Sequence, residues 1–177
     1  MRIAASNFAG AGALAGCLSS EPTEANPNAD VDNNDNGLDN ANPATNGIVS
    51  GAVTLLGHSE PTNDGDNNNG NQTLDFGFIP LMNLGNLIWK DYNNNGIKDA
   101  TEPGMNGVSV QLYRDTNGNN QLDLATDQLA GSTTTMGAGA NVGQYSFANL
   151  PPGNYFVVVP ASNFSTGGAL AGCFSST

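Results

Sequence analysis

Apolar and polar residues alternate in short runs along the chain, and Asn, Gly or Pro bounds nearly every run. A period of two residues places every second side chain on the same face of a β-strand. The alternation is clearest in residues 74–78 and 108–112, whose apolar side chains we expect to face a core. No segment shows helical periodicity, so the pattern predicts an all-β fold.

Seven runs are predicted as strands, and two regions between them have a different composition. The predicted strands are 47–56, 72–79, 86–90, 108–114, 129–135, 144–150 and 154–160. Residues 16–46 and 57–71 are acidic, rich in Asn and nearly devoid of large apolar side chains. Such segments bury too little apolar surface to offset the entropy lost on ordering, so we expect metal ions to order them.

The charge of the chain excludes one class of partner. Its 177 residues are enough for one domain of ordinary size, or one domain with ordered extensions. Sixteen acidic residues against four basic ones give a formal charge of −12. Nucleic-acid binding needs clustered Lys and Arg, and is therefore excluded. No apolar run approaches the length that spans a bilayer.

The stretch "DYNNNGIKDATE", residues 91–102, has the donor spacing of a calcium loop. Oxygen donors occupy positions 1, 3, 5, 9 and 12, and Gly96 stands at the sixth position, where such a loop turns sharply. Two Asn replace the customary Asp, which predicts weaker binding, suited to calcium outside cells. The alternative is a plain Asn-Gly hairpin turn. The predicted ligands are Asp91, Asn93, Asn95, the Ile97 carbonyl, Asp99 and Glu102.

A second loop, "DTNGNNQLD" at residues 115–123, repeats this spacing, and Asp127 follows it closely. Asn120 stands where Gly is usual, and no Glu closes the loop at position 12. Asn tolerates the left-handed backbone conformation, so the substitution is compatible with a calcium loop. The predicted ligands are Asp115, Asn117, Asn119, the Gln121 carbonyl and Asp123.

Two further acidic loops carry parts of the same pattern, "DVDNNDNGLDN" at residues 30–40 and "NDGDNNNGN" at residues 63–71. Solvated acidic loops are the alternative interpretation. Because they flank one predicted strand pair, the two loops could share an ion, and we expect two or more calcium ions in all. The predicted ligands are Asp32, Asn34, Asn36, Asp64, Asp66 and Asn68, with Asp30, Asp35 and Asp39 as additional carboxylates.

One element occurs at both ends of the chain, as "ASNFAGAGALAGC" at residues 5–17 and "ASNFSTGGALAGC" at residues 161–173. The N-terminal copy follows Met-Arg and imitates a lipoprotein export signal, but a cleaved signal has no reason to recur 156 residues later. We therefore interpret it as a repeated element. Cys17 and Cys173 occupy equivalent positions, which favours a disulfide between neighbouring molecules, or buried thiols, over a bond within one chain.

The segment 85–160 contains "NLIWKDYNNNGIKDATEPGMNGVSVQLYRDTNGN" and "GQYSFANLPPGNYFVVVP". Its tryptophan strand, its D-x-N-x-N-G-x-x-D-x-x-E loop and its "YSFANLPPGNYFV" run closely resemble the B-type domain of serine-aspartate repeat surface proteins, within the collagen-adhesin B-like superfamily. The resemblance implies an immunoglobulin-like, transthyretin-type Greek-key β-sandwich with long calcium loops. It also implies an extracellular spacer or stalk on a bacterial cell surface.

The resemblance extends to "DVDNNDNG", "VTL" and "TLDFGF", but these phrases precede the tryptophan strand, whereas in tandem versions of the repeat they follow the "NYFVVVP" strand. The chain is therefore circularly out of phase with the repeat unit. Residues 1–80 resemble the C-terminal part of one unit, 85–160 the main block, and 161–177 the start of the next segment.

These features predict a calcium-stabilised structural repeat that forms a filament or stalk, with copies of itself as partners. Its first strands would be supplied to or completed by a neighbour, and head-to-tail contacts of this kind build open filaments. A window from a longer tandem array is the other structural interpretation, and a surface adhesin with an unknown ligand is the alternative function.

Catalysis is not expected from this sequence. His58 is the sole histidine, and we expect it in a turn. One His and two distant Cys cannot supply tetrahedral zinc ligation. In the wider superfamily a Lys and an Asn can join covalently, but opposite Lys90 the closing strand offers Asp75 and no Asn.

Overall fold

The computed structural model describes residues 1–29, 31–62 and 64–176, so Asp30, Asn63 and Thr177 lie outside the described residues. The chain divides into two compact units, Met1–Leu81 (unit 1) and Met82–Thr177 (unit 2). Unit 1 contains β1 (Arg2–Ile3), β2 (Cys17–Ser19), β3 (Gly37–Leu38), α1 (Pro43–Asn46), β4 (Ile48–Ser50) and β5 (Phe78–Pro80). Unit 2 contains β6 (Met82–Leu87), β7 (Ser109–Arg114), β8 (Gln128–Thr134), β9 (Gln144–Leu150) and β10 (Tyr155–Val158).

Unit 2 is built from a three-stranded sheet in the order β10-β7-β8 and a two-stranded sheet of β6 and β9, with all pairs antiparallel. Val110 and Leu112 on β7 are fully buried and cluster with Phe147 on β9. Half-buried apolar side chains from both sheets pack against this cluster: Leu84, Ile88, Tyr145, Leu150 and Tyr155. The core therefore lies between two sheets, and the predicted all-β sandwich is confirmed.

Unit 1 contains a three-stranded sheet in the order β1-β4-β3 and a two-stranded sheet of β2 and β5. Apart from prolines, the buried apolar side chains described in this unit are Phe8 and Ile48, and the Phe8 ring meets the Phe78 ring edge to face at 5.5 Å. The predicted core face of Leu74, Phe76 and Phe78 is only half-buried. Unit 1 therefore has a smaller apolar core than the alternation predicts.

The predicted strand 72–79 is regular only at its end, in β5. Before β5, the Asp75 N–H donates to Asn36 Oδ1 at 2.9 Å, and the Gly77 N–H donates to Asp35 Oδ1 at 3.1 Å. Side-chain oxygens thus accept the hydrogen bonds that a neighbouring strand would otherwise accept. This part of the run has the alternation of a β-strand in its sequence but is not part of a sheet.

The predicted strand 47–56 likewise shortens to β4. Beyond it, Asn28 Nδ2 donates to the Ala52 carbonyl at 3.0 Å, and Asn28 Oδ1 accepts the Thr54 N–H at 2.7 Å. Leu55 is 67% exposed, so this end of the run has no core to face. Again a side-chain amide takes the place of a strand partner.

In unit 2 the predicted strands agree more closely with the structure. Residues 108–114, 129–135, 144–150 and 154–160 correspond to β7, β8, β9 and β10 within two residues at each end. The tryptophan strand begins earlier than predicted, because β6 pairs with β9 from Met82, and Trp89 keeps only a single bridge to Gly104. In the described ranges no helix has the length and apolarity needed to cross a membrane.

A buried carboxylate connects the strands of unit 1. Asp35 is 6% exposed. Its Oδ1 accepts the N–H groups of Gly37 and Gly77 at 2.8 and 3.1 Å, and its Oδ2 accepts the hydroxyls of Ser19 and Ser20 at 3.2 and 3.0 Å. These donors belong to β2, to β3 and to the approach to β5, so one side chain joins three segments.

The substitution Asp35→Ala should lower the free energy of unfolding by about 3 kcal/mol, because it leaves buried donors without an acceptor. Urea denaturation of the full chain, followed by near-ultraviolet and far-ultraviolet circular dichroism, measures the loss. Asp39→Ala is the matched control, because Asp39 is an exposed carboxylate in the same loop. Equal stability of the two variants would show that Asp35 does not connect the segments.

Candidate metal-binding loops

The loop 91–102 (first loop) and the loop 115–127 (second loop) have the same backbone conformation. In each, the fourth and sixth residues are left-handed, a conformation that Gly and Asn adopt at low cost. These residues are Asn94 (φ 54°), Gly96 (72°), Gly118 (69°) and Asn120 (56°). The two loops thus turn alike, although Gly and Asn exchange places between them.

Side-chain oxygens organise the first half of the first loop. Asp91 Oδ1 and Oδ2 accept the N–H groups of Asn95 and Gly96 at 3.3 and 2.9 Å. Asn93 Oδ1 accepts the Asn95 N–H at 3.1 Å, and Asn95 Oδ1 accepts the Ile97 N–H at 2.8 Å. The side-chain oxygens of alternate residues therefore bind backbone N–H groups two to five residues further along the loop.

The second loop repeats these bonds with one change, because Asp115 Oδ1 accepts the N–H of the fourth residue, Gly118, at 2.8 Å, whereas Asp91 Oδ1 accepts that of the fifth. Asp115 Oδ2 accepts the N–H of the sixth residue, Asn120, at 3.0 Å. Asn117 Oδ1 accepts the Asn119 N–H at 3.0 Å, and Asn119 Oδ1 accepts the Gln121 N–H at 2.7 Å. The predicted similarity of the two donor patterns is therefore present in their hydrogen bonds.

A buried carboxylate closes the first loop. Glu102 is 5% exposed. Its Oε1 accepts the N–H of the second residue, Tyr92, at 2.8 Å, and its Oε2 accepts the N–H of the ninth residue, Asp99, at 3.0 Å. Glu102 thereby ties the start of the loop to its far side.

Asp127 does the same in the second loop, where the sequence pattern assigned no closing residue. It is 7% exposed. Its Oδ1 accepts the N–H of the second residue, Thr116, at 3.3 Å, and its Oδ2 accepts the N–H of the ninth residue, Asp123, at 2.8 Å. The shorter Asp side chain closes the loop from position 13 instead of 12. A search for a carboxylate one residue beyond the usual spacing would have found it.

The amide nitrogens of the first loop also face a carboxylate. Asn93 Nδ2 and Asn95 Nδ2 donate to Asp99 Oδ2 at 2.8 and 3.4 Å. Across the residues that the structure describes, no group of three or more His, Cys, Asp or Glu side chains converges as a metal cluster would. The assignment of calcium ligands in these loops therefore stays a prediction.

Hydrogen bonding also fixes the protonation state of Asp91. Partial burial raises the pKa of its carboxyl group, but N–H donors from Gly96, Asn95 and Asn94, together with the Ser176 hydroxyl, lower it more. The net result is a pKa below the ordinary value of 3.8. The carboxylate that begins the first loop is therefore ionised at neutral pH.

The third loop, which the structure describes over residues 31–40, has a different arrangement. Asn36 is 2% exposed, and its Oδ1 accepts the Asp75 N–H at 2.9 Å. Asp32 is exposed and accepts a bond from Asn33 Nδ2 at 2.9 Å. Asn34 Oδ1 is inaccessible to solvent and accepts no hydrogen bond. The three predicted ligands are thus used in three different ways.

The fourth loop, described over residues 64–71, contains two more side-chain oxygens that, like Asn34 Oδ1, are inaccessible to solvent. Asp64 Oδ2 accepts the Gln72 N–H at 2.7 Å, and this bond is the main reason why the pKa of Asp64 is lowered. Asp64 Oδ1 and Asp66 Oδ1 are inaccessible to solvent and have no partner of good hydrogen-bond geometry among the described residues, although the nearby backbone and carboxyl group of Asp66 also lower the pKa of Asp64. Asn68 Nδ2 donates to the His58 carbonyl at 3.2 Å. Buried carboxylate oxygens without donors are costly unless a cation or water binds them.

The other residues singled out by the sequence have simple surroundings. Cys17 and Cys173 are half-buried free thiols. His58 lies in an exposed turn with φ 63°, as predicted. The Lys90 ammonium lies 5.1 Å from the centre of the Tyr92 ring.

Asp91→Asn should lower the melting temperature at pH 7 in calcium-free buffer, because the ionised carboxylate is the stronger acceptor for backbone N–H groups. The folded pKa lies below 3.8, so the contribution of the carboxylate is present above that value and is lost as the pH falls through the folded pKa. The gap between the two melting temperatures should therefore close below about pH 4. Calorimetry at several pH values measures it.

Asp39→Asn, which alters an exposed carboxylate of unit 1, is the control for this pH series. Its melting temperature should follow that of the unaltered chain throughout. A gap for Asp91→Asn that stays constant from pH 7 to pH 2 would mean that charge at this position does not order the loop.

Comparison with known proteins identifies relatives of this chain. The family model of the SdrD B-like domain matches residues 82–171. Serine-aspartate repeat-containing protein F of Staphylococcus epidermidis is 33% identical over 138 residues, which are 77% of this chain and 6% of that protein. Serine-aspartate repeat-containing protein I of Staphylococcus saprophyticus is 39% identical over 93 residues, which are 51% of this chain and 4% of that protein.

The bone sialoprotein-binding protein of Staphylococcus aureus is also 39% identical over 93 residues, which are 51% of this chain and 7% of that protein. This chain thus spans less than a tenth of the length of each relative, and no solved structure matches it. The relatives are staphylococcal surface proteins, which places this chain at the cell surface. With more than half of its residues matched by the family model, the chain belongs to the SdrD B-like domain family, whose sandwich is immunoglobulin-like.

Proposed function

We propose that the chain is a calcium-stabilised structural module of a bacterial surface stalk or filament, in which copies associate head to tail. One observation carries the calcium part of this proposal: two loops of different sequence use equivalent side-chain oxygens to build the same backbone. Two loops that were acidic only to keep them solvated would not be expected to share such an arrangement.

The donor set of these loops fits calcium. The side-chain donors in the predicted ligand sets are carboxylate and amide oxygens, the hard ligands that calcium prefers, and a carboxylate oxygen that accepts one N–H group keeps a further lone pair. Bound calcium would supply positive charge to a chain whose formal charge is −12. Asp127 joins the ligand set of the second loop, in the role that Glu102 has in the first.

The third and fourth loops support a further cation in unit 1. Asn34, Asp64 and Asp66 each have an inaccessible side-chain oxygen without a hydrogen-bond partner of good geometry in the described part of the chain. An oxygen ligand in a cation site has these properties, because the ion takes the place of a donor. We propose these three residues as the ligands nearest to such an ion.

Calcium should raise the melting temperature of the chain, and EDTA should lower it and speed proteolysis of the loops. Glu102→Gln and Asp127→Asn should each weaken calcium binding about tenfold, because each removes one charge from a loop. Isothermal titration calorimetry and thermal melts of the full chain measure both effects.

Glu21→Gln is the matched control, because Glu21 is exposed and outside every candidate loop. It should leave calcium affinity unchanged. A melting temperature that does not respond to calcium or EDTA would remove the calcium proposal, and equal affinity of Glu102→Gln and Glu21→Gln would remove the ligand assignment.

An adhesin is the second candidate function, since one relative is named for binding bone sialoprotein. The surface of unit 2 offers such a ligand an apolar cavity, lined in part by Trp89, Phe164 and the exposed Phe174. Binding to immobilised bone sialoprotein distinguishes the two functions, because a spacer gives no saturable signal. We propose no catalytic role.

A further inference from the structure

The two copies of the repeated element have the same internal structure. In the N-terminal copy, the Leu14 N–H donates to the Asn7 carbonyl at 2.8 Å. In the C-terminal copy, the equivalent Leu170 N–H donates to the Asn163 carbonyl at 2.9 Å. Further equivalent backbone bonds, Gly12 to Ala9, Ala15 to Gly12 and Cys17 to Leu14, recur as Gly168 to Ser165, Ala171 to Gly168 and Cys173 to Leu170. The element therefore folds alike in two different surroundings.

The C-terminal copy is anchored on a strand of unit 2, β7. Asn163 Oδ1 accepts the Ser109 N–H at 2.8 Å, and Asn163 Nδ2 donates to the Ser109 carbonyl at 3.0 Å. Asn163 and Leu170 are 5% and 6% exposed. Their equivalents Asn7 and Leu14 are only half-buried, and Asn7 Nδ2 bonds only within its own turn. The side of the element that contains Asn163 is thus bonded to unit 2 in the C-terminal copy, whereas the equivalent side of the N-terminal copy is not bonded in this way.

The N-terminal copy is anchored instead on the strands that follow it in unit 1. Phe8 is 5% exposed and packs on Phe78. The residues after the element form β2, in which Leu18 lies opposite Ile79 on β5. The next serines donate to Asp35. In the N-terminal copy, the side of the element that contains Phe8 is thus packed against the strands of unit 1.

The equivalent residues at the other end of the chain have none of these partners. Phe164, the equivalent of Phe8, is 41% exposed, and Phe174, the equivalent of Leu18, is 94% exposed. Residues 173–176 form no strand. The sequence nevertheless keeps the serine pair, with Ser175 and Ser176 at the positions of the Asp35 donors, although the Ser176 hydroxyl bonds to Asp91 in this chain.

We propose that the C-terminal copy of one chain replaces the N-terminal copy in unit 1 of a second chain, where residues 173–175 add antiparallel to β5. The proposal deepens the head-to-tail association proposed above and rests on it. The exchange preserves the ladder between β2 and β5, because the backbone groups are equivalent. It engages both sides of one element, and it covers Phe164 and Phe174 in place of Phe8 and Leu18 of the displaced copy, so unit 1 buries equivalent apolar side chains before and after the exchange. The Ser176 hydroxyl exchanges its bond to Asp91 for one to Asp35 of the second chain.

We call the proposed contact between residues 173–175 of one chain and β5 of a second chain the joint. The register of β2 makes it testable. Cys17 lies opposite Pro80 on β5. After exchange, Cys173 of one chain lies opposite Pro80 of the second chain. Directly opposed residues of antiparallel strands have Cα atoms about 4.5 to 5.5 Å apart, which is within disulfide range. A cysteine introduced at position 80 should therefore trap the joint.

The variant Cys17→Ser with Pro80→Cys should form disulfide-linked oligomers under mild oxidation, with the introduced thiol bonded to Cys173 of another chain. Non-reducing electrophoresis separates the oligomers, and mass spectrometry of peptides identifies the bond. Cys17→Ser with Leu55→Cys is the matched control, since residue 55 is exposed in the same unit and has no place in the joint. Adding Cys173→Ser should abolish the oligomers.

Two outcomes would overturn the joint. One is a bond from the introduced thiol at position 80 to Cys173 within a single chain, and the other is no more bonding at position 80 than at position 55. If calcium still stabilises the chain in either case, the joint is wrong while the calcium-stabilised module stands. An absence of calcium stabilisation together with the expected oligomers would leave the joint in place and remove the calcium part of the proposed function.

A second variant tests the joint without a new cysteine. Phe174→Asp should weaken self-association at least about tenfold, because the side chain is exposed in one chain and covered in the joint. Leu55→Asp is the control, since Leu55 is 67% exposed. Sedimentation of the full chain at several concentrations measures both. Equal association of the two variants would overturn the assigned strand position.

Discussion

Side-chain oxygens that accept backbone N–H groups are the interaction on which most of this structure depends. Asp35 gathers donors from three segments of unit 1, while Glu102 and Asp127 each bridge the second and ninth residues of a loop. All three are at least 90% buried. The long loops contain few apolar side chains, so hydrogen bonds to carboxylates and amides supply order that apolar burial cannot.

Unit 2 could be predicted from the sequence, and much of unit 1 could not. The alternation in residues 108–112 identified a buried strand because burial alone decides which side chains face the core. In residues 72–77 the alternation was present, but the Asp75 and Gly77 N–H groups bond to side chains far away in sequence. Periodicity does not report the partner of a hydrogen bond, so it could not distinguish a strand from this segment. Asp127 was noted behind the second loop but was given no role for a related reason, since spacing rules fix a position and not the reach of a side chain.

The two units therefore rely on different forces. The core of unit 2 combines apolar side chains from two sheets, whereas unit 1 buries Phe8 and Ile48 beside several polar groups. Polar networks depend on geometry and on charge, so we expect the stability of unit 1 and of the loops to vary with pH. The same scarcity of apolar contacts is compatible with the exchange of the repeated element that we propose. The proposed calcium sites and the proposed exchange thus draw on one property of the composition.

Amide hydrogen exchange of the full chain, measured by NMR in calcium-free buffer at neutral pH, tests the central role of side-chain oxygens most directly. The Gly77, Asp99 and Asp123 amides donate to buried carboxylates. They should exchange at least about tenfold more slowly than the amide of exposed Leu55. Exchange of all four amides at the same rate would contradict this account, because these carboxylates would then hold no backbone in place.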